Sequence, residues 1–192
     1  PDLYDSPIDI VINRNEIHDI DKLIDSIHTN MSWVNKIFVI SNNINDIDFT
    51  HYTDKNVLFI TPYSFVPVYL HDSLTDNLID TYIWNIPELS EKFIYLYNVQ
   101  LINYPCFDEE FFPNNKLNLH PVKLKFIPEK DKLPCFANTS IIMQILNLED
   151  RDFIFKNFYI YDPHYIPMLK SDCETCFNYM QQHIMEYDES SN

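Results

Sequence analysis

The clearest structural signal in the sequence is the run Lys92-Phe93-Ile94-Tyr95-Leu96-Tyr97. Aromatic and β-branched side chains suit a pleated surface, so this run predicts a β-strand. Three shorter runs share its apolar character, at residues 8–12, 36–40 and 56–60. Because these runs are apolar on both faces, they are typical of parallel strands that helices cover on both sides.

Helical patterns lie between and after these strands. Apolar residues that follow Asp19 recur at i, i+3, i+4 and i+7 and predict a helix over 19–29. Ser171 and Glu174 have the spacing of a capping box and predict the start of a last helix. The other expected elements are helices at 73–84, 138–148 and 171–185 and a short strand at 122–127. This order predicts an α/β domain with a mainly parallel, twisted sheet flanked by helices, in a Rossmann-like layering.

The chain organisation predicts one domain. A length of 192 residues suits a single core, and no internal repeat or linker divides the sequence. We expect a domain over residues 1–187 followed by a polar tail at 188–192. No signal peptide or membrane-spanning segment is visible, so we expect an intracellular protein. The absence of an initiator methionine suggests a piece of a longer protein, whose other domains are candidate partners.

Charge and composition exclude several classes of function. The chain has 13 Lys and Arg residues against 29 Asp and Glu residues, a formal net charge of −16. Such a surface repels nucleic acids and anionic lipid heads, so neither is an expected partner. The sequence contains 0 glycines, so it cannot form the glycine-rich phosphate loops of P-loop or Rossmann enzymes. A phosphorylated ligand would therefore need a metal ion or a local basic pocket.

Three segments in order resemble the Stealth family, which includes capsular polysaccharide phosphotransferases. Residues 33–40, WVNKIFVI, are similar to the family's "WV-K-IF-V" strand, and residues 86–96, IPELSEKFIYL, are similar to its "IPGLSE-FIYLNDD" segment. Residues 163–166, PHYI, resemble the later "HMPHMIDR" type of segment. The similarity covers roughly residues 8 to 180 and implies a Rossmann-like or glycosyltransferase-A-like layering.

The resemblance also implies which family residues have been replaced. The paired aspartates that follow the family's "FIYL" strand, suited to a metal ion or to a general base, correspond to Tyr97-Asn98-Val99. An amide such as that of Asn98 can neither take a proton nor match a carboxylate on Mg²⁺. The two arginines of the family's first helix, suited to phosphate, correspond to Asp21 and Asp25.

Other family positions divide in the same way. The family's "TWVDGSD" opening is reduced to residues 13–16, without its glycine. The histidine and the arginine of the family's later segment correspond to Tyr161 and Met168. Comparable chemistry remains at Asp80 and His164. These two and Asn98 are the candidate catalytic residues if the chain is active.

Two further patterns have a functional and a structural interpretation. Asp46-Ile47-Asp48 follows the second strand, where a metal-dependent glycosyltransferase would hold its ion, but solvated turn residues would have the same pattern. Cys173 and Cys176 could bind a metal or act in redox chemistry. They also trace one apolar helical face, and since no second CxxC motif exists, packing in the core is the favoured interpretation.

Three functions remain open at this point. The first is a Stealth-like domain without transferase activity, acting as a binding or architectural part of a larger protein. The second is a divergent glycosyl- or sugar-phosphate transferase that uses Asp80 and an Asp-x-Asp pair with Mg²⁺ or Mn²⁺. The third is a protein-interaction module whose acidic face binds a basic partner.

Overall fold

A computed structural model describes residues 6–13, 19–44, 49–52, 55–96, 99–116, 121–123, 159–161 and 165–190. The chain divides into two compact units. The first consists of Pro1–Leu119 and Pro163–Glu174, and the second of His120–Asp162 and Thr175–Asn192. Within the described ranges, no helix is both long and apolar enough to cross a membrane.

A five-stranded, mostly parallel sheet forms the first unit. Its strands are β1 (Ile8–Asn13), β2 (Ile37–Ile40), β3 (Val57–Ile60), β4 (Lys92–Leu96) and β7 (Tyr165–Leu169). The strand order is β3-β2-β1-β4-β7, in which β1 to β4 are parallel and β7 runs antiparallel to β4. The predicted α/β class and the four predicted parallel strands are therefore confirmed.

Helix α1 (Ile20–Asn30) covers one face of this sheet. Asp19 caps it by accepting a hydrogen bond from the Lys22 amide, at 3.2 Å. Its buried side chains pack on alternate residues of the central strands, which face the same side because strand side chains alternate. That shared apolar layer includes Leu23, Ile24, Ile27, Ile10, Ile12, Ile37, Val39, Ile94 and Leu96.

The opposite face is covered by a shorter helix than the one predicted at 73–84. Helix α2 comprises Asp76–Tyr82, with 3-10 turns at Val68–Ser73 before it and Ile83–Asn85 after it. Thr75 is extended and accepts a hydrogen bond from the Leu78 amide at 3.2 Å, so the cap begins the helix at Asp76. Leu74, predicted to face the core of that helix, therefore lies before it and is half-buried.

The last helix begins one residue earlier than predicted and without the predicted capping box. Helix α4 comprises Lys170–Ser190, after the one-turn helix α3 (Asp108–Phe111). Glu91, which immediately precedes β4, accepts hydrogen bonds from the backbone amide of Ser171, at 3.1 Å, and from its hydroxyl. Glu91 therefore has the role expected of Glu174, because the pairing of β4 with β7 brings it to the helix start.

The second unit contains two short antiparallel strands among its described residues. They are β5 (Pro121–Lys123) and β6 (Tyr159–Tyr161), in register from Pro121 with Tyr161 to Lys123 with Tyr159. Strand β5 confirms the start of the strand predicted at 122–127. The helix predicted at 138–148 lies outside the described residues, and the single domain at 1–187 with its tail remains a prediction.

Among the described residues, turns form without glycine at three positions of left-handed backbone. Asn56, Glu88 and Asn114 have φ angles of 50°, 61° and 52°. Asparagine is the residue that tolerates this region best after glycine. Glu88 has no such local advantage, and it lies in the turn that leads into β4.

A buried carboxylate in the central strand joins the amino ends of three strands. Asp9 is 0% exposed. Its Oδ1 accepts hydrogen bonds from Asn35 Nδ2 at 2.8 Å and from the Lys36 amide at 3.1 Å, both just before β2. Its Oδ2 accepts one from the Ser90 amide at 2.7 Å, just before β4. Because each oxygen is occupied by a donor, the buried charge is satisfied without a basic residue.

We expect Asp9→Asn to destabilise the protein by about 1–3 kcal/mol, the cost of leaving a buried donor unsatisfied. The variant amide keeps one acceptor oxygen and presents an NH₂ group to a backbone or side-chain N–H. Urea unfolding followed by circular dichroism measures the loss. Asp72→Asn removes the same charge from an exposed side chain and should stay within about 0.5 kcal/mol of wild type. Equal midpoints for both variants would show that Asp9 has no such role.

Candidate functional site

The candidate site lies at the carboxyl ends of the parallel strands. Strands β2 and β3 follow one another on one side of β1, and β4 lies on the other side of β1. The carboxyl ends of β1 and β4 therefore flank a topological switch point, where open α/β sheets bind their ligands. Strand β1 ends there at Asn13, strand β4 at Leu96, and β7 begins there at Tyr165.

Asp80 is the one predicted catalytic residue that the structure describes. Helix α2 holds it over the sheet, where its Oδ1 accepts a hydrogen bond from the Tyr95 hydroxyl at 2.6 Å. Burial raises the pKa of Asp80 above its ordinary value, the bond from Tyr95 opposes that rise, and the nearby charge of Asp76 adds to it. A half-buried carboxyl with a raised pKa beside the switch point has the properties of a general base.

Tyr95 and Asn13 are the residues that the sequence patterns did not indicate. Val11 pairs with Tyr95 across β1 and β4, so Asn13 lies two residues further toward the carboxyl edge on the same face. Asn13 is buried, which is unusual for an asparagine at a strand end. The signal that could have identified them is the alternation of side chains along the two strands, which places Tyr95 and Asn13 on the same face of the sheet.

Asp21 and Asp25 lie on the other side of the sheet from Asp80, and each has a partner. Helix α1 packs on the face of Ile94 and Leu96, whereas Tyr95 points to the face of α2. Asp21 accepts a hydrogen bond from the Tyr52 hydroxyl, and Asp25 forms a 2.5 Å ion pair with Lys55. The two acidic residues thus connect α1 to the segment between β2 and β3, and the structure does not bring them to Asp80.

The remaining candidates cannot be placed. Asn98, His164, Asp46 and Asp48 lie outside the described residues. In the part of the chain that the structure describes, no three His, Cys, Asp or Glu side chains are grouped to hold a metal ion.

The core-packing interpretation of the cysteine pair is wrong for Cys176. Cys176 is exposed and Cys173 is half-buried, whereas Cys106 is buried. The apolar helical face that the sequence suggested is therefore not buried at Cys176. Among the described cysteines, none is in a disulfide.

We expect Asp80 to titrate above 3.8, the ordinary value for aspartate, and Tyr95→Phe to raise its pKa further. The variant removes a donor that favours the charged carboxylate and leaves the burial in place. Carbon-13 NMR of the side-chain carboxyl groups across an acid titration measures both pKa values. Tyr63→Phe removes a tyrosine hydroxyl elsewhere and should leave the Asp80 titration unchanged. A pKa that falls in Tyr95→Phe would contradict this account.

We also expect Cys176 to react with a thiol reagent in the native protein well before Cys106. Burial raises the pKa of Cys106, and the Glu110 charge raises it further, so little reactive thiolate is present. Brief labelling with iodoacetamide, followed by peptide mass spectrometry, compares the two sites. Cys176→Ser should leave the slow labelling of Cys106 unchanged. Faster modification of Cys106 than of Cys176 would contradict the burial described here.

Comparison with known proteins finds one distant similarity that bears on this site. No family model matches the chain. Over 189 residues, 96% of its length, the chain is 23% identical to the capsular polysaccharide phosphotransferase LcbA of Neisseria meningitidis. The chain spans about half, 50%, of the length of that curated relative. This similarity supports the resemblance to the Stealth family at the level of a distant relationship.

Proposed function

We propose that this chain is a Stealth-like sugar-phosphate transferase domain that has lost transferase activity and serves as a binding or architectural part of a larger protein. The observation that carries the proposal is the end of β4. The strand stops at Leu96, at the switch point, and the next residues in the chain are Tyr97 and Asn98. Neither is a carboxylate, although the resemblance predicts paired aspartates here.

The chemistry of the transfer reaction supports this proposal. Transfer of a sugar phosphate from a nucleotide sugar to a hydroxyl builds negative charge, which cations must stabilise, and the hydroxyl must lose a proton to a base. Tyrosine and asparagine side chains at the end of β4 supply neither a metal-binding carboxylate nor a base at neutral pH. A net charge of −16 raises the cost of binding an anionic donor still further.

The partners of Asp21 and Asp25 support an architectural role. Where the resemblance predicts two phosphate-binding arginines, these carboxylates bind Tyr52 and Lys55 and attach α1 to the chain between β2 and β3. The Asp25 ion pair is largely exposed, so it contributes little to stability alone. The Asp21 and Asp25 side chains nevertheless both form contacts within the fold. A domain that no longer binds phosphate at these positions could use them in this way.

A divergent active transferase is the second candidate, and Asp80 is the observation that favours it. Its carboxyl lies beside the switch point, and burial raises its pKa in the direction that suits a general base. In this alternative Asp80 would take the proton of the acceptor hydroxyl. Asp46 and Asp48 would hold Mg²⁺ or Mn²⁺, whose charge would offset that of the donor phosphates.

Calorimetric titration with a panel of nucleotide sugars, with and without Mg²⁺ or Mn²⁺, distinguishes these candidates. We expect no affinity better than about millimolar, because the net charge of −16 opposes an anionic donor. Asp80→Ala and the matched exposed variant Asp72→Ala should behave as wild type. Micromolar binding that is lost in Asp80→Ala and kept in Asp72→Ala would favour the divergent enzyme over the inactive domain.

A further inference from the structure

An exposed apolar surface lies on the loop that follows β4, away from the candidate site. Its three members, Leu101, Tyr104 and Phe107, are 44%, 60% and 61% exposed. They recur at every third residue and alternate with Ile102 and Cys106, which are buried against α1. We call these three side chains the aromatic surface. Large apolar side chains that are exposed on one short, fixed loop are candidates for an interaction site, whereas scattered single ones are not.

Hydrogen bonds along α1 and just beyond its end hold this loop in place. The Ile102 amide donates to Ser26 Oγ at 3.0 Å, and Asn30 Nδ2 donates to the Ile102 carbonyl at 2.7 Å. The Cys106 amide donates to the Asn30 carbonyl at 2.8 Å, and Trp33 Nε1 donates to the Cys106 carbonyl at 2.7 Å. The backbone beneath the aromatic surface is therefore fixed, which lowers the ordering cost of binding a partner there.

The loop ends at the amino end of the sheet, since α1 runs from the carboxyl edge back toward the start of β2. Cys106 bonds to Asn30, the last residue of α1, so Phe107 lies at the opposite end of the sheet from Asp80. A ligand at the switch point would not occupy this surface. What binds the aromatic surface is therefore independent of the proposed function.

The surroundings of the aromatic surface define the charge of its occupant. Asp108, Glu109 and Glu110 follow Phe107 directly, and the whole chain has a net charge of −16. A second copy of this chain, a nucleic acid or an anionic membrane would bring like charge to this rim. An amphipathic protein segment with Lys or Arg beside its apolar side chains matches both the apolar centre and the acidic rim.

We propose that the aromatic surface is a docking site for a cationic amphipathic segment of a partner protein. Leu101, Tyr104 and Phe107 contact the apolar side of that segment, and Asp108 and Glu109 attract its basic side chains. The buried aromatic contacts provide most of the affinity, as anchors do in protein interfaces. The carboxylates provide orientation and a salt-dependent association rate.

The test uses the full chain and three designed 18-residue helical peptides with the same leucine stripe. Their polar face consists of lysine in the first, glutamate in the second and glutamine in the third. Fluorescence anisotropy measures affinity, and amide NMR shifts locate the bound peptide. We expect the lysine peptide to bind at residues 101–110, more weakly at higher salt, and the glutamate peptide not to bind.

Matched variants separate a specific surface from general attraction to an acidic protein. Tyr104→Ser with Phe107→Ser should weaken lysine-peptide binding at least tenfold, and each single variant should weaken it in part. The control, Tyr63→Ser with Tyr69→Ser, removes two aromatics that are 54% and 74% exposed elsewhere and should leave affinity unchanged. Asp108→Asn with Glu109→Gln should reduce affinity severalfold more than the charge-matched pair Asp72→Asn with Glu174→Gln.

Four results would overturn the proposal. The first is that the lysine peptide does not bind, and the second is that the glutamine and lysine peptides bind equally well. The third is that the aromatic variants and their controls lose the same affinity. The fourth is that the NMR shifts are confined to residues outside 101–110. Sedimentation that shows dimers of wild type and monomers of Tyr104→Ser would instead assign the surface to a second copy. Because no nucleotide sugar enters this test, its outcome does not depend on whether the domain is an active transferase.

Discussion

The fold depends on a carboxylate buried at the amino end of its central strand. Asp9 accepts hydrogen bonds from the chain segments that precede β2 and β4, the two neighbours of β1. Those segments lie on opposite sides of β1, so a single side chain contacts the chain just before both neighbouring strands. An exposed ion pair between Lys36 and Glu88 joins the same segments at 3.1 Å, but solvent screens it. The hydrogen bonds of Asp9 therefore connect the starts of β2 and β4 to β1, in the register that pairs Val11 with Tyr95.

The sequence predicted the sheet well because its central strands are apolar on both faces, a pattern that is typical of parallel strands covered by helices. It predicted helix boundaries less well, since these depend on capping contacts between distant parts of the chain. Glu91 caps α4 from 80 residues away, and no local pattern around Ser171 indicates this. The importance of Asp9 was missed for the same reason, because its donors are 26, 27 and 81 residues away.

The candidate site was predictable only in part. The sequence identified Asp80 but not the tyrosine that bonds to it, because the pairing requires α2 to lie across β4. The resemblance also led us to expect the acidic residues of α1 in the same pocket. The alternation of side chains in β4 places α1 and Asp80 on opposite faces of the sheet. Asp21 and Asp25 are therefore separated by the sheet from Asp80.

The left-handed turns at Asn56, Glu88 and Asn114 have a consequence for the unfolded chain. A non-glycine residue in this region costs roughly 1–2 kcal/mol in the native state. Without glycine, however, every residue has a Cβ atom that restricts the denatured backbone, and each such restriction is worth about 0.4–1 kcal/mol where the native conformation is compatible. A typical protein has about 7% glycine, whereas this chain has 0 glycines, so the restriction applies at every position. The same composition that excludes a phosphate loop thus narrows the denatured ensemble and lowers the entropy that folding must overcome.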